Sequence, residues 1–261
     1  MTDKTIRKIS RELNRGAYLR SSSIVLSAII ICAVFSVITF SLVRLAELSG
    51  LKQLSGTYGR FIYPSVLSVV FLIFVFIELV LLSSVSIGEK AWYTGRLTRK
   101  KQCGKRLRFW FSPSRSFKAF RLNLLIFVLK LMWTAAFISP SALFFSVVFL
   151  TAFSGGIELY LLIALLSGGV LLLATGLIFR FFIVQRYFLA PYILADNPRL
   201  SATQAVMQSK TLSDGQILRI AGFKLKFLPA FFTYPLIIPA VFLHPHYKQS
   251  CSVIAKELCI C

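Results

Sequence analysis

Glu78, Lys130 and Arg180 each stand inside a stretch of sequence that is otherwise almost wholly apolar. A charge in a hydrocarbon environment is costly, so such residues mark internal ion pairs, proton relays or ligand pathways. Glu78 lies roughly ten residues from the inner end of its stretch, a depth of about 15 Å at helical rise. Lys130 lies roughly eight residues into the next stretch, about 12 Å deep. The two stretches are consecutive and would run antiparallel. The spacing therefore allows a Glu78–Lys130 pair, with Arg180 as a rival partner. The expected role is a salt bridge locking helices together, or a Lys reaching its head toward the interface. A lone carboxylate is a weak relay, so a small transporter or channel component with Glu78 in its pathway is the alternative reading.

A second group lies near the carboxyl end, where His244 and His246 precede Cys251, Cys259 and Cys261. Two His and three Cys can hold a metal, but no CxxC pair at finger spacing is present. No metal and no cofactor is expected. If this tail is extracytoplasmic, a disulfide is the alternative use of its thiols. Cys32 should pack like a small apolar residue, and Cys103 falls in a basic segment. The chain has no Walker loop, HExxH helix, GxSxG elbow or dinucleotide-binding fingerprint. It has only two His, so no catalytic residue is assigned and no enzyme activity is expected. A lipid-headgroup enzyme accessory is a further alternative.

The elements that must position these residues follow from composition. The 261 residues carry 30 Lys and Arg against 9 Asp and Glu, a formal charge of +21, yet 57% are hydrophobic and mean hydropathy is +0.77. A soluble domain is about 45–50% apolar with both signs of charge. The balance excludes an ordinary soluble enzyme and a disordered chain. It fits an all-α, polytopic membrane helix bundle. About five stretches approach the roughly 20 apolar residues a crossing needs. They lie near 24–43, 61–87, 122–150, 158–184 and 221–243, within a single membrane domain 24–243 between a basic terminus, 1–23, and a tail, 244–261. The last stretch contains Pro229, Pro235 and Pro239. It is either a kinked span or a re-entrant hairpin, and its length favours the span.

Lys and Arg gather in cytoplasmic loops. Residues 1–23 hold six, 44–60 three, 88–121 eleven, 151–157 none and 186–219 four. The alternation places the amino terminus in the cytoplasm and, with five crossings, the carboxyl terminus outside. A re-entrant last segment would return the tail inside.

Ile6, Ile9, Leu13 and Ala17 recur at helical spacing opposite Arg7, Arg11 and Arg15, which predicts a basic amphipathic helix in the headgroup layer. In loop 88–121, Arg99, Lys100, Lys101, Lys105, Arg106 and Arg108 alternate with Trp92, Tyr93, Phe109 and Trp110. Cations interleaved with aromatics can bind single-stranded nucleic acid. Apolar spans flank the loop closely, so anionic lipid is the expected partner and nucleic acid is not. Ser201 and Gln204 form a capping box, and Gly215 is a stop. These predict a short cytoplasmic helix over 202–213, within 201–214. Ser139-Pro140-Ser141 and Ser167-Gly168-Gly169 should allow close helix packing.

The run Tyr187-Phe-Leu-Ala-Pro191-Tyr192-Ile-Leu-Ala-Asp196-Asn197-Pro198, followed by Ala205, Ser209 and Gly215, resembles a family of bacterial integral membrane proteins, domain-of-unknown-function family 975. A looser likeness extends to the membrane domain of some glycerophosphodiester phosphodiesterases. The specific likeness covers the last third of the chain. Lys226-Phe227-Leu228-Pro229-Ala230 and His244-Pro245-His246-Tyr247 depart from the family's usual pattern around the last span. The resemblance implies a multi-pass protein of a bacterial plasma membrane, in a Gram-positive lineage, and supplies no activity. The function expected is a non-enzymatic scaffold or accessory factor. Its basic cytoplasmic face would meet anionic lipid, a membrane-protein partner or a second copy of itself.

Overall fold

The structure, a computed structural model, describes residues 3–14, 18–48, 59–97, 107–153, 158–228 and 237–260. Among these the chain is helical and contains no strand. The helices are α1 (Asp3–Asn14), α2 (Tyr18–Leu48), α3 (Gly59–Leu97), α4 (Pro113–Phe153) and α5 (Leu159–Val184). A 3-10 turn at Gln185–Tyr187 leads to α6 (Ala190–Asp196), α7 (Ala202–Ser213), α8 (Ile217–Leu225) and α9 (Ile237–Ile260).

Four helical segments are long and apolar enough to cross a membrane: Leu26–Arg44, Ser65–Leu97, Pro113–Phe153 and Tyr160–Asp196. They overlap the first four stretches expected from hydropathy. Their apolar side chains point outward, with Phe40, Leu72, Leu143 and Leu171 all exposed. An apolar surface of this extent needs lipid rather than water around it. Helices α3 and α4 have 39 and 41 residues. At ~1.5 Å per residue each is roughly 60 Å long, about twice a hydrocarbon core. Both must therefore project well beyond it, and the projecting ends help form a cap.

Helices α4 and α5 pack closely because glycine allows it. A Cβ on Gly169 would lie 2.6 Å from the Phe145 ring, and one on Gly176 would overlap the Phe137 carbonyl. Gly168, beside Gly169, has its nearest neighbour at 4.0 Å. The small-residue reading thus holds for Gly169 and not for Gly168. Ser141 is fully buried and donates to the Ile138 carbonyl at 2.7 Å.

The cap is built around α9. Val253, Ile254, Ala255 and Leu258 of this helix are buried with Ile6 of α1, Ile87 of α3, Leu122 of α4, Leu194 of α6 and Ile220 of α8 in one core. The tail 244–261 was expected to stand outside, on the face opposite α1. Instead α9 packs along α1, where Ser10 of α1 donates to the His246 carbonyl at 3.1 Å. The physical reason lies at Phe227. Its ring meets those of His246 and Tyr247 at 6.0 and 5.3 Å between centroids. The chain that leaves the cap after α8 is back in it some twenty residues later. The contact favours the hairpin alternative over a fifth crossing at 221–243. Residues 229–236, including Pro229 and Pro235, lie outside the described residues.

Two further expectations change. The apolar side of α1 is occupied by protein: Ile6 and Ser10 are fully buried, so this stripe is not free to enter the headgroup layer. Trp92, Tyr93 and Trp110 are buried as well. Helix α3 continues to Leu97, so the first two turn inward beside Ile24 and Val85 rather than forming an aromatic belt.

Candidate functional site

The projecting end of α3 carries Glu89 into the cap, where α9 supplies two partners. Lys248 Nζ lies 2.9 Å from Glu89 Oε2, and His244 Nε2 lies 3.2 Å from Oε1. Glu89 is buried. A buried carboxylate needs such partners to remain charged. Its neighbour Lys90 donates to the Ser86 carbonyl at 3.0 Å and to Ser86 Oγ at 2.8 Å. From α8, Lys224 donates to Gln185 Oε1 at 2.6 Å and lies 4.2 Å from the centre of the Phe188 ring. Burial, the largest cause, pulls the Lys224 ammonium down to about 8.

These groups surround Cys251. Its thiol is buried, within electrostatic reach of Lys224, Lys248 and Lys90 and near Tyr247. Burial outweighs the nearby cations and pushes the thiol up from its ordinary range, so Cys251 is a protonated, unreactive side chain at neutral pH. Cations predominate around it, and the carboxylate facing them is Glu89.

Three more contacts fix α9. Lys256 Nζ lies 3.3 Å from Asp196 Oδ2 of α6. One Arg219 nitrogen of α8 reaches both Glu257 oxygens, at 2.9 and 3.0 Å. His246 Nδ1 lies 2.9 Å from Ser10 Oγ. Burial lowers the His246 imidazole from its ordinary value, and Arg11 and Arg7 reinforce the shift. Arg7 stacks 5.1 Å from the centre of the Phe227 ring, and Arg96 donates to the Leu13 carbonyl at the far end of α1.

The three intramembrane charges do not form one cluster. Glu78 of α3 lies near the Cys32 thiol of α2. Lys130 is exposed on α4 and sits near Arg180 of α5. Arg180 Nε donates to Thr134 Oγ1 at 2.6 Å. The Glu78–Lys130 pair that the sequence allows is therefore not formed. Lys130 lies instead within electrostatic reach of Lys90 and Lys224.

Among the other basic candidates, Arg11 and Arg108 are exposed and Arg7 is half-buried. Arg15, Arg99, Lys100, Lys101, Lys105 and Arg106 lie outside the described residues, as do Cys103 and Cys261. Cys259 is exposed, with burial of its thiol group and Asp196 pushing it upward. The described residues contain no group of three metal-ligating side chains.

The motif from Tyr187 to Gly215 builds the hairpin of α6 and α7 that seals the cap. Tyr187 Oη accepts from Trp133 Nε1 at 2.9 Å. Pro191 sits in the first turn of α6, Tyr192 is buried within it, and Asn197 ends it. Asp196 pairs with Lys256, and the Pro198 carbonyl accepts from Lys118 Nζ at 2.8 Å. The Ser201–Gln204 capping box is present in both directions, and α7 runs over the expected residues. Ala205 is fully buried, and Ser209 Oγ donates to the Arg186 carbonyl at 2.6 Å. Gly215 has φ +79°, a left-handed conformation that an L side chain would strain.

Glu89, Lys90, Lys224 and Lys248 escaped the sequence reading. The available signal was scarcity, since Glu89 is one of nine acidic residues and directly follows an apolar run. Comparison with family models, curated relatives and solved structures returns no match to this chain.

Proposed function

We propose that this chain is a non-enzymatic scaffold of a bacterial plasma membrane, with four spans holding a helical cap at the cytoplasmic face. The cap contacts anionic lipid, and its outer surface meets a membrane-protein partner or a second copy of the chain. The observation that carries this reading is the central position of α9, tied to α1, α3, α6 and α8 by Ser10, Glu89, Asp196 and Arg219. A cap braced in this way offers a rigid surface rather than a loose collection of loops. Charge supports the cytoplasmic placement. The segments on the cap side, 1–23, 88–121 and 185–261, hold six, eleven and eight Lys or Arg, against three in 44–60 on the other side. Such an excess is the usual mark of the inner face and attracts anionic headgroups. The resemblance of residues 187–215 to a bacterial membrane family agrees with this setting.

The test is purification from a native-like membrane in a mild extractant, followed by identification of retained lipids and proteins. Enrichment of anionic over zwitterionic phospholipid, relative to the bulk membrane, is the expected result. Retained lipid of bulk composition would remove the lipid-contact reading.

A further inference from the structure

We infer that α8 lies flat in the headgroup layer of the cytoplasmic leaflet, with Leu218 and Leu225 against lipid acyl chains and Lys226 at the level of the phosphates. This rests on the proposed placement of the cap at the inner face and names the element that makes its lipid contact.

The first argument is the chemistry of the exposed face. Leu218 is 75% exposed and Leu225 46%. Seven residues apart, they stand on one side of α8, with Gly222 between them. A Cβ on Gly222 would meet no described residue within 4 Å, so that side is open along its length. The opposite side is filled, since Ile220, Ala221 and Phe223 are buried in the cap, as is Phe227 just beyond the helix. Residues 217–228 hold three cations and no carboxylate.

Helix α7 gives the contrast. Its exposed positions are Thr203, Gln204, Gln208, Lys210 and Thr211, with Met207 the one large apolar residue among them. A single exposed apolar residue on a polar face is ordinary, whereas a face made of leucines marks a contact with something apolar. The outer face of α7 suits water and that of α8 does not.

The second argument is position. Helix α5 has 26 residues, about 39 Å at helical rise. A bilayer is ~30 Å across its hydrocarbon and ~40–45 Å with its headgroups. The inner end of α5, at Val184, therefore stands in the headgroup layer. Helix α8 packs against this end, where Lys224 Nζ reaches Gln185 Oε1 at 2.6 Å. Leu177, Ile178 and Phe179, in the last turns of α5, are exposed. The apolar side chains of α8 thus begin where the apolar surface of a span ends, and lipid covers that surface.

The third argument is the flanking charge. A helix lying in the interface buries its apolar face and keeps its cations toward the phosphates. Lys226 is exposed at the edge of the leucine face, and its stem lets the ammonium reach up to the headgroups. Nine residues would bind a membrane weakly alone. The spans already hold α8 at the surface, so the leucines need supply only its orientation.

The experiment uses the full chain in phosphatidylcholine–phosphatidylglycerol nanodiscs, with Cys32, Cys103, Cys259 and Cys261 replaced by Ser and the buried Cys251 retained. Leu218→Cys, Leu225→Cys and Met207→Cys chains each carry a bimane label, and unchanged thermal unfolding shows that each has kept its fold. Quenching is compared between lipid bearing a nitroxide at acyl carbon 5 and iodide in the buffer. The expected result is lipid quenching about threefold stronger at positions 218 and 225 than at 207, with iodide favouring 207 by a similar factor. Iodide quenching at 218 and 225 equal to that at 207 would put α8 in water and overturn the inference. Protection from both quenchers would mean that a protein partner or a second copy covers the face, and would overturn it too. Strong lipid quenching in a protein that retains lipid of bulk composition leaves α8 in place and removes the anionic-lipid reading. Anionic lipid enriched without lipid quenching at 218 and 225 leaves that reading standing without α8.

Discussion

The Phe227 and Tyr247 rings meet with 5.3 Å between their centroids and 63° between their planes. A chain that crossed a hydrocarbon layer about 30 Å thick between these residues could not bring them together. Phe227 and Tyr247 therefore lie on the same side of any such layer. In chains with Cys103 and Cys261 replaced by Ser, Cys259 should react with a membrane-impermeant maleimide from the cytoplasmic face alone. Labelling is best done at alkaline pH, since the Cys259 thiol is pushed upward. Labelling from the outer face of intact cells would restore a fifth crossing.

Glu89 provides the second prediction. Glu89→Gln removes the carboxylate that Lys248 and His244 share and leaves the Lys248 ammonium near Lys90 without it. Breaking a buried pair costs ~3–5 kcal/mol. Both partners are partly exposed, so the loss should fall near the lower end, about 3 kcal/mol. Arg219→Ala breaks the more exposed Glu257 pair and should cost under ~1 kcal/mol. Denaturant titration of both variants against the parent protein checks the order, and equal losses would show that Glu89 is not the stronger tie.

The third prediction concerns pH. Docking α1 onto α9 holds His246 neutral, because burial and the nearby Arg11 and Arg7 lower its imidazole. A depressed folded-state value means that the undocked form binds the extra proton. The stabilisation is present above the ordinary imidazole value of ~6.5 and is lost as pH falls below it. Hydrogen exchange in residues 3–14, taken relative to the intrinsic amide rate at each pH, should accelerate as pH falls from about 6.5 to 5. His246→Asn should remove most of that acceleration. An unchanged pH profile in this variant would mean that other groups control α1.

A fourth prediction tests the spans. Gly176→Ala places a methyl group against the Phe137 carbonyl, and overpacking of this kind costs ~1–3 kcal/mol. Gly169→Ala meets the movable Phe145 ring and should cost less. Gly168→Ala, with no neighbour closer than 4.0 Å, should be neutral or slightly stabilising through better helix propensity. Thermal unfolding of the three proteins reads this order directly.

The four spans and α7 were legible in the sequence because each has a local signature, a long apolar run or a capping box. Helix α9 was not. Its central stretch, Gln249-Ser250-Cys251-Ser252, is buried on every side yet made of small or polar residues. Such a helix has the 24 residues of a span but neither its unbroken apolar run nor an apolar stripe, so periodicity does not reveal it. Trp92 and Tyr93 misled for a related reason, since an aromatic near a span end looks the same whether it faces headgroups or protein. Glu78 and Lys130 share an allowed depth, but helix rotation directs one toward Cys32 and the other toward Arg180. Spacing along a chain does not encode that rotation.

Ser10 and His246 are 236 positions apart. During synthesis α1 leaves the ribosome long before α9 exists, and at ~5–20 residues per second the delay is tens of seconds at the slow end of that range. Ile6 and its neighbours must be shielded in that interval by lipid or by a chaperone. Assembly of the cap is thus a late event that registers whether translation has reached α9, and a prematurely terminated chain would carry an uncovered α1 as its visible defect.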